Sequence, residues 1–454
     1  MFRKFFGWVK RMVTKQTPKK LVEWKGKGNI IARDFKAESN FALEFYIGRQ
    51  GMLFFEADMF SQIRKDIKKK KLKEFSFNGE FDNGVRLSID RLILIGQGDI
   101  INGEQMPLKL KVFSEISVNR NDFKASHEQK ILFRVANLAF TGCEKTFTAH
   151  GGWSIDHFTI NIDGYPIEVR RLKEYKDLEK EVRKGKVTNA ETAQIIVIAK
   201  HTEHKNVLKV INDLCWLMSF ATGNTVVPFG EIHLDGKKIA HESYRNMRTE
   251  PFKFDNHVIP EMPSELLPQF LEETYPNYKK YKKELGMDVI LNYYELMRRN
   301  PIMDVRCVLG YVLLEALSNN AQEYYNKKKD PVKNSMLKSK EKKLKKILPE
   351  HKIITDEVIE NLKKEFIYPH PSLQDSINKL MKEFKMKYEK NEDKLFGLRK
   401  DFIHKGKFQD GVPPVETSNK LFHFIDRLIL HILRYTKEYL DISDGYKHKK
   451  LEYK

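Results

Sequence analysis

The sequence predicts an α+β protein, with an N-terminal antiparallel β-rich domain, a sandwich or a barrel, followed by a C-terminal all-α helical bundle. Three observations carry this. Apolar and polar residues alternate with period two up to about residue 200, and helical periodicity takes over after about residue 270. Between them lies a stretch with Pro251, Pro260, Pro263 and Pro268, and proline lacks the amide donor that regular elements need. At 454 residues the chain suits about two or three domains, and with 41% hydrophobic and 11% aromatic residues it can bury substantial cores.

Residues 1–20, MFRKFFGWVKRMVTKQTPKK, hold an apolar stretch too short and too interrupted by basic residues for a secretory signal. They read as a basic amphipathic arm docked on the body of the protein, with a membrane-surface or nucleic-acid tether as the alternative. The β-rich domain spans 21–250. Its clearest part is Glu74–Ile95, where Phe75 and Phe77, then Val85, Leu87 and Ile89, flank the turn residues Asp82-Asn83-Gly84. Lys109–Val118, Lys130–Val135 and Phe158–Val169 read as further strands, the last broken by Asp163-Gly164. Lys173–Val187 turns charged and helical, Gln194–Lys200 reads as a buried strand, and Lys205–Phe220 reads as a helix ended by Gly223. Thr225–Asp235 returns to strand. Residues 251–268 read as a linker.

Residues 269–445 read as a helical domain, with helices at Asp288–Arg299, Ile302–Leu317, Thr355–Phe366, Ser372–Tyr388, Asn391–His404 and Val415–Leu440, and a basic tail at 446–454. Ile302–Leu317 is apolar nearly all round and belongs at the bundle centre.

Lys and Arg total 82 against 62 Asp and Glu, a formal charge of +20, which favours an anionic partner such as nucleic acid, nucleotide or an acidic membrane surface. Lys327–Lys346 carries ten lysines and two acids. Lys342, Lys343, Lys345 and Lys346 in it are candidate phosphate contacts, with a solvated face as the bland alternative. Cys143, Cys215 and Cys307 form no CxxC pair, which excludes a cysteine-built zinc site and fits a reducing, cytoplasmic setting. No apolar run reaches the roughly 20 residues of a membrane span. There is no P-loop, dinucleotide fingerprint, nucleophile elbow or HExxH. His201 and His204 have metal-compatible spacing but no third ligand near them in the sequence, and read as surface histidines. No metal and no cofactor are expected.

The segment Leu398-Arg399-Lys400-Asp401-Phe402-Ile403-His404-Lys405-Gly406 places Arg-x4-His in the last turns of a predicted helix. On this segment the chain resembles the HEPN family, whose helical bundle carries an R-x4–6-H motif. Leu313-Leu314-Glu315-Ala316-Leu317-Ser318 resembles the buried first-helix motif of ApeA-type HEPN domains. The resemblance covers about residues 265–445, and Leu217–Gly223 is similar to a segment in the N-terminal halves that accompany such domains. Lys400 departs from the small polar residue that follows the arginine in many HEPN nucleases.

The resemblance implies a metal-independent endoribonuclease, in defence or stress response, with Arg399 and His404 catalytic and RNA as partner. Histidine suits the proton transfers of 2′-OH attack, and arginine suits the phosphorane charge, so RNA would be cut to 2′,3′-cyclic phosphate ends. Five residues along a helix rotate about 500°, leaving the two side chains roughly 140° apart, so either two helices facing each other across a dimer or fraying at Gly406 would bring both to one phosphate; the resemblance implies the first, a homodimer of the helical domain. Glu315 and Asp401 are candidate supporting residues. Glu315 is expected to be buried and paired with Arg399. Lys400 and Lys405 are candidate nucleic-acid contacts. The β-rich domain would then sense a protein or ligand trigger. The alternatives are a non-catalytic nucleic-acid or nucleotide-binding protein of the same fold, and a recognition module dimerised by its helices.

Overall fold

The computed structural model describes residues 20–32, 35–46, 49–55, 74–80, 85–96, 100–101, 104–105, 108–112, 116–119, 129–147, 153–184, 190–236, 238–245, 252, 257–328, 372–399 and 413–453. The protein is α+β, with a large antiparallel sheet in its N-terminal half and helices dominating its C-terminal half. It divides into two compact units, residues 1–272 and 273–454.

In the first unit, β1 (Lys20–Ala32), β2 (Phe35–Tyr46), β3 (Arg49–Phe55), β4 (Glu74–Glu80) and β5 (Arg86–Gly96) are followed by the short pair β6 (Ile100–Ile101) and β7 (Glu104–Gln105). Then come β8 (Leu108–Val112), β9 (Ile116–Asn119), β10 (Gln129–Ala136), β11 (Glu144–Phe147), β12 (Trp153–Ile162), β13 (Tyr165–Arg171) and β14 (Glu191–Ala199), and finally β15 (Val227–Asp235) and β16 (Lys238–Tyr244). Their order in the large sheet is β11-β12-β13-β14-β10-β15-β16-β9-β5-β4-β1-β2-β3-β8. β8 also pairs with β5, so six strands, β5-β4-β1-β2-β3-β8, form a closed ring.

The strand β5 makes both arrangements possible. Its first residues, Arg86–Ile89, pair with β9, and its last, from Leu92 to Gly96, pair with β8. The Lys109–Val118 stretch is therefore two strands, one in the ring and one in the open part of the sheet. Ile30, Phe41, Leu43, Phe75, Phe77, Leu87, Ile89 and Leu92 are buried, and Phe41 meets Phe77 edge to face at 4.7 Å. The phenylalanine-rich strands are thus core, as alternation on one buried face requires. The β4–β5 hairpin has Asn78 opposite Ser88, and its predicted turn at residues 82–84 lies outside the described residues. At the β12–β13 turn Asp163 and Gly164 take φ of 53° and 83°, the left-handed pair that a tight hairpin needs.

Two helices accompany the open part of the sheet, α1 (Tyr175–Arg183) and α2 (His204–Thr222). α2 packs on β14 and β15, burying Val207, Val210, Ile211, Leu214, Leu217 and Met218. It ends at Gly223 with φ 64°, where a residue without Cβ turns the chain without penalty. The proline-rich stretch is held to this unit: the amides of Val258 and Ile259 donate to the Ala221 carbonyl, and both side chains are buried.

The division between units falls within α3 (Leu266–Glu284). α4 (Met287–Arg299), α5 (Met303–Lys328), α6 (Leu373–Glu383), a helical turn at 395–399 and α7 (Pro414–Leu433) follow. α5 is central, packing on α4, α6 and α7 with Cys307, Tyr311, Leu313, Leu314, Leu317 and Ala321 buried. A Cβ at Gly310 would meet Leu421 at 3.1 Å and Ile425 and Met297 at 3.3 Å, so glycine sets the close approach of α5 to its neighbours. Ser372 caps α6 in a reciprocal box with Asp375. No helix among the described residues is long and apolar enough to cross a membrane.

Three helix expectations overran. The helix expected from Asn391 is helical only at 395–399 among its described residues, and Asn391 itself takes φ 66°. The helix from Ser372 stops at Phe384, and Lys385 has φ 58°. The helix expected to reach Leu440 stops at Leu433, where Arg434 takes φ 57°. The chain then forms a hairpin, β17 (Glu438–Asp441) and β18 (Lys447–Lys450), so helix does not run almost to the end. The arm at residues 1–19, the Thr355–Phe366 helix and most of the Lys327–Lys346 run, with Lys342, Lys343, Lys345 and Lys346, lie outside the described residues.

Candidate functional site

The helical unit brings together two of the residues singled out from the sequence. Tyr311 and Glu315 stand one turn apart on α5, and Leu395 and Arg399 stand one turn apart on the helical residues 395–399. The Tyr311 hydroxyl donates to the Leu395 carbonyl at 2.7 Å, and Arg399 Nε donates to Glu315 Oε1 at 2.6 Å. A second guanidinium nitrogen, Nη2, also pairs with Oε1. These two ties fix the register between the segments, and with it the position of the Arg399 guanidinium.

The Leu313–Ser318 motif divides by face, with Leu313, Leu314, Leu317 and Ser318 buried and Glu315 at the rim. Glu315 is not the fully buried carboxylate expected: its side chain is 33% exposed and that of Arg399 is 40% exposed. Position 315 faces the 395–399 turn at the edge of the packed core, where water reaches both partners. The pair therefore holds a cation at the surface without the desolvation cost of a core ion pair. Lys400, Asp401, His404 and Lys405 lie outside the described residues.

A buried ionic network is built from residues just before the 395–399 turn and from α7. Arg427 of α7 donates to both oxygens of Glu392 at 2.8 and 2.9 Å, with side chains 7% and 3% exposed. His423, one turn earlier, lies 2.9 Å from Asp441 of β17 and 3.3 Å from Glu389. Lys449 of β18 also pairs with Asp441. Burial opposes the charge on His423, but the contacts with Asp441 and Glu389 outweigh it and raise its pKa to about 9. The network locks the C-terminal hairpin onto α7.

The first unit holds a cluster the sequence reading missed. Glu231 and His233 are two residues apart on β15, so both point to the face covered by α2. The turn from β14 into α2 is closed by the Lys200 amide donating to Glu203 Oε2 at 3.0 Å, and the next residue, His204, opens the helix over β15. Nε2 of His204 and Nε2 of His233 both contact Oε1 of Glu231. Glu231 Oε2 lies 3.7 Å from Arg245. His233 Nδ1 is 3.1 Å from the amide oxygen of Gln129 on β10, and the His241 ring of β16 meets the His233 ring edge-on at 5.3 Å.

Glu231 and His233 are about 5% exposed or less, while His204 is 29% exposed. Burial alone would raise the Glu231 pKa, but hydrogen bonds and charge from His204 and His233 outweigh it and hold the carboxyl at about 2. His204 is thus not an isolated surface histidine. Its partners lie 27 and 29 residues later, and the strand signal that could have found them is the Glu-x-His pair on one face of β15.

A family model described as the YopA central domain matches residues 124–255, less than a third of the chain. This segment contains His204, Glu231 and His233 and lies wholly within the first unit. No curated protein and no solved structure matches the chain.

Proposed function

We propose that the chain is a metal-independent endoribonuclease of HEPN type, cutting RNA with Arg399 and His404 of its second unit, in the cytoplasm and in defence or stress response. The observation that carries this reading is the tie between α5 and the 395–399 turn, in which Glu315 aims the Arg399 guanidinium at a surface open to water. An arginine so placed can meet a phosphate and remain ordered. His404 acts as acid and base in 2′-OH attack, Arg399 stabilises the phosphorane, and Asp401 supports the pair. Lys400, Lys405 and the lysines at 342, 343, 345 and 346 hold the RNA backbone. The β-rich unit senses the trigger.

The test uses the full-length protein and a defined single-stranded RNA. His404→Ala removes cleavage, a loss of about 10²–10⁴-fold, with RNA affinity largely kept. Arg399→Ala lowers both rate and affinity, because the guanidinium contacts phosphate before and during the reaction. Products carry 2′,3′-cyclic phosphate ends, and a 2′-deoxy substitution at the scissile position blocks the cut. RNA that binds but stays intact under every trigger tested would favour the non-catalytic alternative. Cleavage that survives both substitutions would remove these residues from the mechanism.

A further inference from the structure

We propose that His204, Glu231 and His233 form a site for one divalent transition-metal ion of the zinc class. The three groups come from two elements and offer one ligand atom each, all within 4.8 Å of one another. Two imidazole nitrogens and one carboxylate oxygen are a donor set that zinc and its neighbours favour over calcium or magnesium.

The direction of each imidazole supports this. His233 Nδ1 lies 3.1 Å from the side-chain amide of Gln129, a contact that orients the ring and turns Nε2 toward the Glu231 carboxylate. A neutral histidine held through its other nitrogen by a carbonyl oxygen is the arrangement that fixes a metal-ligating ring. His204 converges on the same oxygen from the helix side, so a single ion at Oε1 would meet both rings. Arg245 faces the second oxygen, Oε2, which leaves Glu231 to bind through Oε1 alone. Three protein ligands leave one position of a tetrahedral ion, and the partly exposed His204 side gives solvent or a ligand access to it. The ion would clamp the start of α2 to β15 inside the segment that matches the YopA central domain.

A proton could occupy this position in place of a metal, with His233 as an imidazolium, and the experiment separates the two. Full-length protein is stripped with a chelator, dialysed, and titrated with Zn²⁺ by calorimetry and with Co²⁺ by visible absorption. One equivalent is expected to bind with submicromolar affinity and to give the absorption bands of a low-coordinate cobalt site. His204→Gln, at the first turn of α2 and partly exposed, should lower that affinity by more than 100-fold with the circular dichroism spectrum unchanged. Gln129→Leu removes the amide that holds the His233 ring and should lower it by about 10–100-fold. Affinity should rise with pH, because a bound metal competes with protons for its ligands. No binding below 100 µM would overturn the proposal in favour of the proton-linked cluster. Binding equally tight in His204→Gln would overturn it too, by placing the ion on other histidines. His233→Gln should abolish binding, and should it fail to fold, His204→Gln still decides.

Discussion

The Arg399 guanidinium is held by one carboxylate that water can reach, and this separates stability from positioning. A core ion pair broken on one side costs about 3–5 kcal/mol, whereas an exposed pair is worth about 0–1 kcal/mol. With both Glu315 and Arg399 more than a third exposed or close to it, Glu315→Gln should cost at most about 1 kcal/mol in denaturant unfolding. The same substitution should release the guanidinium and weaken RNA binding measured by fluorescence anisotropy, and Glu315→Asp should not restore it because its shorter stem falls short of Arg399. A loss of several kcal/mol would mean that the pair is a structural brace. The pairing itself was legible, because a carboxylate interrupting an apolar helix needs a cation. Its depth was not, since apolar flanks do not reveal which side of a helix meets the core. The three-residue cluster at Glu231 was illegible for another reason: its members meet only after β15 and α2 are packed.

At the scale of elements, the hairpin β17–β18 is secured to α7 by charge. The His423 pKa is raised from 6.5 to about 9, so its contribution is fully present below about pH 6.5 and fades as pH rises through about 9. Asp441 and Glu389 are shifted downward, so their contribution is lost only as pH falls into the carboxylate range. The second unit should therefore lose on the order of 2–3 kcal/mol between pH 6.5 and 9.5 in thermal unfolding. His423→Gln should flatten that alkaline limb, and an unchanged limb would assign it to other groups. The hairpin was passed over although Asp444-Gly445 marks its turn, Gly445 taking φ 67°. Glu438–Lys450 is polar, lacks the alternating β-branched residues of a strand, and follows the helix with no proline or glycine between them. The Gly223 end of α2, in contrast, was readable because its conformation demands glycine.

At the scale of the whole molecule, the proposed ribonuclease site is expected to be shared by two copies. On a straight helix Arg399 and His404 would diverge by roughly 140°, so one phosphate would meet both when two motifs face each other, with fraying at Gly406 as the single-copy alternative. Light scattering should return twice the mass of one chain at micromolar concentration, and charge reversal on the exposed face of residues 391–399 should return the monomer without loss of helicity. A monomer at high micromolar concentration, unchanged by RNA, would remove the shared-cleft geometry. The two-part α+β organisation was visible in the change from period two to helical period. The closed ring was not, because alternation tells which face of a strand is buried and nothing about which neighbour it pairs with. Lys109–Val118 shows this best, since one apparent strand serves two places along β5.

That division of β5 also sets where the chain can be cut for separate production. The segment matching the YopA central domain starts at residue 124, but β16 inside it pairs on its outer side with β9, Ile116–Asn119, which lies before that start. A fragment of residues 124–255 would lay bare the amides and carbonyls along β16, the kind of open strand edge that recruits other chains. Moving the start back to include β9 only transfers the exposed edge, because β9 leans in turn on β5. A fragment that also retains the ring should therefore be more soluble than residues 124–255 alone, because it keeps β16 and β9 paired as they are in the whole sheet.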